Sequence, residues 1–157
     1  MSNTVQLPRK IIELATLLIP VKGKLLLTPN VTVAEIIYYT EPQAQDDVPT
    51  WFLGTIEWRK QITPLISFEA INDEPFAGKS SQRRIAVFNG LEDSEHLPFY
   101  AILTQGMPRL MRVEAEEVVA NREVALGVAE SLLVNVNGEA AVIPNLEYIE
   151  RQILQLL

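Results

Sequence analysis

No apolar stretch in this chain runs far before turn chemistry interrupts it, and that feature constrains the fold more than any other. Glu13 to Pro20 and Leu25 to Pro29 flank Val21-Lys22-Gly23-Lys24, where Gly23 supplies the positive φ of a tight turn. Phe52 to Trp58 and Gln61 to Phe68 flank Arg59-Lys60. Arg84 to Phe88 and Phe99 to Thr104 pair across the loop Asn89 to Pro98. Leu132 to Val136 and Glu139 to Ile143 flank Asn137-Gly138, the strongest short hairpin signal in the sequence. Val33 to Thr40 adds a run rich in β-branched and aromatic residues, and residues 41–50 and 72–82 are polar connections. Short runs bounded in this way predict an all-β chain with short helices.

Two stretches carry helical patterning. Glu114 to Ala120 is acidic early and apolar late, which predicts one or two turns, and its acids suit a helix N-terminus. At the C-terminus, Leu146, Ile149, Ile153 and Leu156 share one helix face, Asn145 can cap it, and Glu147 with Arg151 is an i,i+4 pair. The chain also repeats itself faintly. Ile56 through Ile71 lies on Val134 through Ile149, so Phe68-Glu69-Ala70-Ile71 answers to Leu146-Glu147-Tyr148-Ile149. Two similar small β subdomains account for such a repeat, and chance likeness between hairpins is the alternative.

Composition removes several kinds of chemistry. The net charge is −7, so phosphate backbones and anionic lipid hold no electrostatic attraction for the chain. It has no cysteine and one histidine, His96, which excludes disulfides, thiol nucleophiles and multi-histidine zinc sites. No run has the length of a membrane span. Arg9-Lys10 before Ile11-Ile12 begins like a signal peptide, but Glu13 interrupts the apolar stretch and no small-x-small site follows. Without an export signal, the sequon Asn30-Val31-Thr32 carries no meaning.

The polar clusters have ordinary explanations. Glu92, Asp93 and Glu95 beside His96 could ligate a metal, but such loop acids are usually solvated. The same holds for Asp46-Asp47. No phosphate-binding glycine loop, His-Glu-x-x-His or Gly-x-Ser-x-Gly occurs. In Val33 to Thr40, alternation puts Glu35, Ile37 and Tyr39 on one face and Ala34, Ile36 and Tyr38 on the other. Both faces are apolar apart from Glu35, so the strand is either buried on both sides or offers one face for docking. In Thr55 to Arg59, Ile56 and Trp58 point one way and Glu57 and Arg59 the other.

Val33-Ala34-Glu35-Ile36 resembles the Val-x-Glu-Ile strand of the CheW-like domain family, the adaptors of bacterial chemosensory arrays. Val48 to Leu65 (VPTWFLGTIEWRKQITPL) resembles the family's central signature: Pro, apolar residues, Gly, then Asn-Leu-Arg-Gly and an apolar strand with Pro. Phe99 to Thr104, Gly106-Met107 and the stretch to Glu117-Val118 resemble the strand and turn before the second half's helix. The likeness spans about residues 13–155, with departures at Glu57 for Asn, Trp58 for Leu, Lys60 for Gly and Ser67 for the usual Asp. Leu25 to Ile36, with Ile56 to Arg59, looks most like the ChpC type of chemosensory-pili systems.

The resemblance implies a flexible lead-in over residues 1–12 and a single domain over 13–157. That domain would hold two SH3-like five-stranded barrel subdomains and a C-terminal helix over 145–157. It implies no catalysis and no cofactor. It implies a cytoplasmic adaptor that couples a CheA-type histidine kinase to a methyl-accepting chemotaxis receptor, with no nucleic acid and no membrane insertion. By position, Val33, Glu35, Arg59 and Met107 match the receptor-facing groove, and Ile37, Tyr39, Val48 and Trp51 lie where the first barrel meets the kinase. That match favours an exposed docking face for Ile37 and Tyr39. Two rivals stand beside this reading: a small β-barrel enzyme using a carboxylate pair, and a degenerate scaffold without receptor binding, for which Glu57 and Lys60 speak.

Overall fold

The computed structural model describes residues 13–78 and 80–157, so the lead-in over 1–12 lies outside the described residues. Eleven strands and two short helices follow in order: β1 (Glu13–Val21), β2 (Lys24–Pro29), β3 (Val33–Tyr38), β4 (Phe52–Trp58), β5 (Gln61–Ile66), α1 (Phe68–Ile71), β6 (Arg84–Asn89), β7 (Phe99–Thr104), β8 (Arg109–Glu114), β9 (Val118–Asn121), β10 (Glu130–Val136), β11 (Glu139–Pro144) and α2 (Leu146–Leu154). Turn chemistry sets the hairpins. Gly23 sits at φ 73°, and Asn137 and Gly138 at 51° and 82°, the paired positive values of a type I′ turn.

The strands form a six-stranded sheet, β8-β1-β2-β11-β10-β9, and a five-stranded sheet, β3-β6-β7-β5-β4. These are the two SH3-like subdomains, one with six strands rather than five. The extra strand is β9. The acids at Glu114 to Glu117 do open a helical turn, in which the Glu114 N–H donates to Glu117 at 2.9 Å. Only Ala115–Glu117 follow it, as one 3-10 turn. The helix expected to Ala120 stops there because Val118 and Val119, β-branched, pair with Val136 and Asn135 instead.

Three other boundaries move for local reasons. The strand expected to Phe68 ends at Ile66, because the Ser67 hydroxyl accepts from the Ala70 N–H at 3.2 Å and starts α1. The strand expected to Thr40 ends at Tyr38. The C-terminal helix, capped by Asn145 as expected, ends at Leu154 rather than 157, and Leu156 lies off its buried face.

The faint repeat is a structural one. Residues 78 positions apart occupy the same places: Phe52–Trp58 and Glu130–Val136, Gln61–Ile66 and Glu139–Pro144, the caps Ser67 and Asn145. Even the bulges coincide, between Phe52 and Gly54 and between Glu130 and Leu132. The halves are not contiguous, however. The sheet orders match only if the N-terminal hairpin β1–β2 takes in one sheet the place that β6–β7 takes in the other.

A central core joins the sheets. Leu17, Ile19 and Leu26 from one meet Phe52, Ile66, Phe88, Tyr100 and Ile102 from the other, with Phe68 of α1 and Ile149 and Ile153 of α2 between them. Burying each such large side chain is worth about 1.5–3 kcal/mol. Two smaller clusters, one per sheet, cover the faces turned away from that core: Ile56, Trp58, Leu65, Ile85 and Val87 in one, Leu18, Leu27, Val113, Val134 and Val136 in the other.

One buried carboxylate ties α2 to this core. Glu150 is 0% exposed and accepts from the Leu91 N–H (2.7 Å), the Glu92 N–H (3.0 Å) and the Tyr100 hydroxyl (3.2 Å). Burial, followed by the Glu150 charge, pushes the Tyr100 phenol well above its ordinary range, which keeps it a donor. Asn72, 78 positions earlier, plays the corresponding part, its Oδ1 accepting from the Ala129 N–H at 2.9 Å. Glu150→Ala strands buried donors and is expected to cost roughly 3 kcal/mol or more in urea denaturation. Glu150→Gln, which keeps an acceptor oxygen, is expected to cost clearly less; equal losses would show that the acceptor is not what matters.

Candidate functional site

The β4–β5 hairpin carries the site's first feature. Its tip residues Arg59 and Lys60 sit at φ 46° and 64°, the type I′ geometry that Asn137-Gly138 adopts in the second repeat. Left-handed backbone costs a residue with a Cβ roughly 1–2 kcal/mol. The turn therefore forms without the family's glycine, against strain, because the β4–β5 ladder from Phe52–Ile66 to Trp58–Gln61 holds it closed.

That backbone folds the Arg59 side chain back over its neighbour. Trp58 is 5% exposed, its ring edge-on to Phe99 with centroids 4.7 Å apart. The Arg59 guanidinium carbon lies 4.5 Å from the Trp58 ring centroid. Glu35 of β3 completes the group: its Oε2 accepts from the Trp58 indole N–H at 3.0 Å and its Oε1 from the Arg59 Nη2 at 3.3 Å. The Trp58 hydrogen bond, more than the Arg59 charge, holds the Glu35 carboxyl below its ordinary range against some desolvation, so it is ionised at neutral pH. Glu35 and Arg59, matched to one groove by position, thus meet through Trp58, although β3 and β4 are the two outer strands of the sheet and do not pair.

The same strand carries a second feature. A bulge between Val33 and Glu35 shifts the alternation. Val33 and Ile36 face the central core, while Ala34, Ile37 and Tyr39 line the cluster inside the five-stranded sheet. β3 is an edge strand with both faces partly covered. Ile37 and Tyr39 are half-buried, and the exposed aromatic is Tyr38, at 80%. Arg84 stacks on Tyr38 at 4.9 Å and Arg83 on Tyr39 at 3.9 Å. Val48 and Trp51 are half-buried against the central core, Trp51 meeting Phe52 edge-on at 6.2 Å. The structure therefore pairs Val48 with Trp51 and Ile37 with Tyr39, each pair on its own cluster.

Met107 stands apart. It is 62% exposed and follows the end of β7 at Thr104, which pairs with Arg84 opposite Tyr38. Val33 pairs with Phe88, itself opposite Tyr100, at the other end of the same ladder.

A search of curated proteins found no match. The profile of the CheW-like domain matches residues 15–152. The chain belongs to the CheW-like domain family. Among solved structures, the scaffolding protein TtCheW from Thermoanaerobacter tengcongensis is similar, with 14% identity, a TM-score of 0.72, and coverage of 85% of this chain and 89% of that one. That likeness concerns the fold, including the paired SH3-like subdomains. CheW family proteins are non-enzymatic scaffolds of chemotaxis signalling, and this CheW-like domain is a scaffold and not a catalyst.

Asp93 accepts from His96 Nδ1 at 2.8 Å and from the His96 N–H at 3.3 Å, and these bonds lower its carboxyl below the ordinary range. Among the described residues, no group of three or more His, Asp or Glu side chains could hold a metal, and no helix is long and apolar enough to cross a membrane.

Relieving the tip of the CheW-like hairpin is expected to raise stability. Lys60→Gly should add about 0.5–1 kcal/mol, the strain relieved less the entropy glycine loses on folding. Lys60→Val should destabilise. Thermal unfolding of the three proteins checks the order, and a less stable glycine variant would show that the turn is not strained.

Proposed function

We propose that this CheW-like domain couples a CheA-type histidine kinase to the cytoplasmic tip of a methyl-accepting chemoreceptor, in a chemosensory-pili system of the ChpC type. The observation that carries the receptor half of this reading is the ordered Glu35–Trp58–Arg59 cluster on an exposed edge. A surface ion pair of this kind is worth only about 0–1 kcal/mol to stability, so its arrangement is better explained by recognition than by folding.

The spacing of the other receptor-facing residues suits a helical partner. From Tyr100, level with Val33, to Thr104 is roughly 13 Å of strand, and Met107 lies beyond. A helix of about two to three turns spans that length. Lys60 takes the positive φ for which the family uses glycine, so the turn is kept and Lys60 no longer speaks for an abandoned groove, which leaves Glu57 as the departure on that side.

The kinase half rests on Val48, Trp51, Ile37 and Tyr39. A half-buried tryptophan fixed by its inner edge is a good anchor, because little side-chain entropy remains to be lost on docking. Trp51 packs on the central core and Arg59 lies over Trp58 of the other cluster, so these two residues offer separate contacts for separate partners. A cytoplasmic site of action follows from both partners.

Two variants separate the faces. Arg59→Ala is expected to weaken receptor-tip binding at least tenfold, leaving kinase binding and melting temperature near wild type. Trp51→Ala is expected to weaken binding of the kinase regulatory domain by roughly 2 kcal/mol or more, in a chain that still folds and binds the receptor. Calorimetric titration of each variant with each partner checks both. If either substitution abolishes both interactions, the two-face reading is wrong.

A further inference from the structure

Trp58 stands where the family has leucine, and its geometry explains what the change achieves. The ring is buried and fixed against Phe99, so its indole N–H points in one direction. That N–H occupies one carboxylate oxygen of Glu35. Arg59 reaches only the other oxygen, through one nitrogen.

Without the indole, both oxygens of Glu35 would be open to Arg59. A guanidinium and a carboxylate left to themselves close into a bidentate pair, which satisfies both and offers a partner little. Here Arg59 meets Glu35 through one nitrogen only, and Trp58 touches both partners. Its N–H holds Oε2, and its ring face supports the guanidinium at 4.5 Å. Arg59 spends one of its five N–H donors on Glu35, and its side chain stays 64% exposed.

We infer that Trp58 is the positioning residue of the receptor-facing site, and that the group it readies Arg59 to bind is a side-chain carboxylate on the receptor's helical tip. The inference rests on the coupling reading above and names the chemistry of its receptor contact. A carboxylate matches the planar fork of a guanidinium, and Arg59 keeps donors for one beyond the single nitrogen that meets Glu35. The overall charge of −7 makes this local presentation of positive charge necessary, since the chain as a whole repels an acidic partner.

The test uses the full chain and a purified receptor cytoplasmic tip. Trp58→Phe keeps an aromatic ring for Phe99 and for Arg59 but removes the N–H. Receptor affinity is expected to fall fivefold to tenfold and to become less sensitive to salt. Kinase affinity should stay near wild type, the smaller buried ring is expected to lower the melting temperature, and the fluorescence of the remaining Trp51 reports that the chain is folded at the temperature of the titration. A receptor tip with its acidic surface residues changed to glutamine is expected to bind wild type and Trp58→Phe equally weakly.

If Trp58→Phe binds like wild type while Arg59→Ala loses binding, the positioning role is overturned and coupling stands. If the glutamine-substituted tip binds wild type undiminished, the partner group is not a carboxylate. If wild type does not bind the receptor tip at all, the coupling reading itself fails.

Discussion

Every strand in this chain faces the same constraint: each sheet has two apolar sides, and both must be covered. One side of each sheet carries its own small cluster, around Ile56 and Leu65 in one and Leu18 and Val134 in the other. The opposite sides meet across the central core with the two helices between them. Tyr100, Phe68 and Phe88 are fully buried there, so neither sheet could be removed without exposing the largest apolar groups of the other. Shared burial is why the N-terminal hairpin β1–β2 joins the C-terminal strands. It is also why β3 reads as apolar on both faces while lying at a sheet edge.

Local chemistry was the legible part. Gly23, Asn137-Gly138 and the cap Asn145 act through their own backbone geometry or nearest neighbours, and the hairpins and α2 form where those residues place them, whereas the Ser67 cap that ends β5 was read as strand. The 78-residue repeat was visible because hairpin, cap and helix recur together. What escaped depends on distant partners. β8, Arg109–Glu114, is a strand because β1 pairs with it from Glu13 to Leu18. β9 exists because β10 supplies its hydrogen bonds. No local pattern in Val118–Asn121 distinguishes a pairing edge from the end of a helix.

The site divides along the same line. Glu35 and Arg59 were legible from the family pattern, but β3 and β4 are not paired: they are the two outer strands of the five-stranded sheet, and the residues meet through their side chains and Trp58. The part of Trp58 was hidden because period-two alternation assigns a side chain to a face and says nothing of a polar edge on a buried ring. Its one visible sign was the departure from the family's leucine. Tyr38 with Arg84, and Tyr39 with Arg83, were missed for a similar reason, since the β3–β6 register that stacks them is long-range.

A scaffold that couples two proteins must hold both at once. Sedimentation velocity of the chain mixed with the kinase regulatory domain and the receptor tip measures this directly. The account predicts one species containing all three components, with each partner leaving the affinity of the other unchanged or improved. Competition, in which rising receptor tip displaces the kinase domain from the chain, would contradict it, because the Glu35–Trp58–Arg59 edge and the Trp51 face would then be parts of a single binding surface.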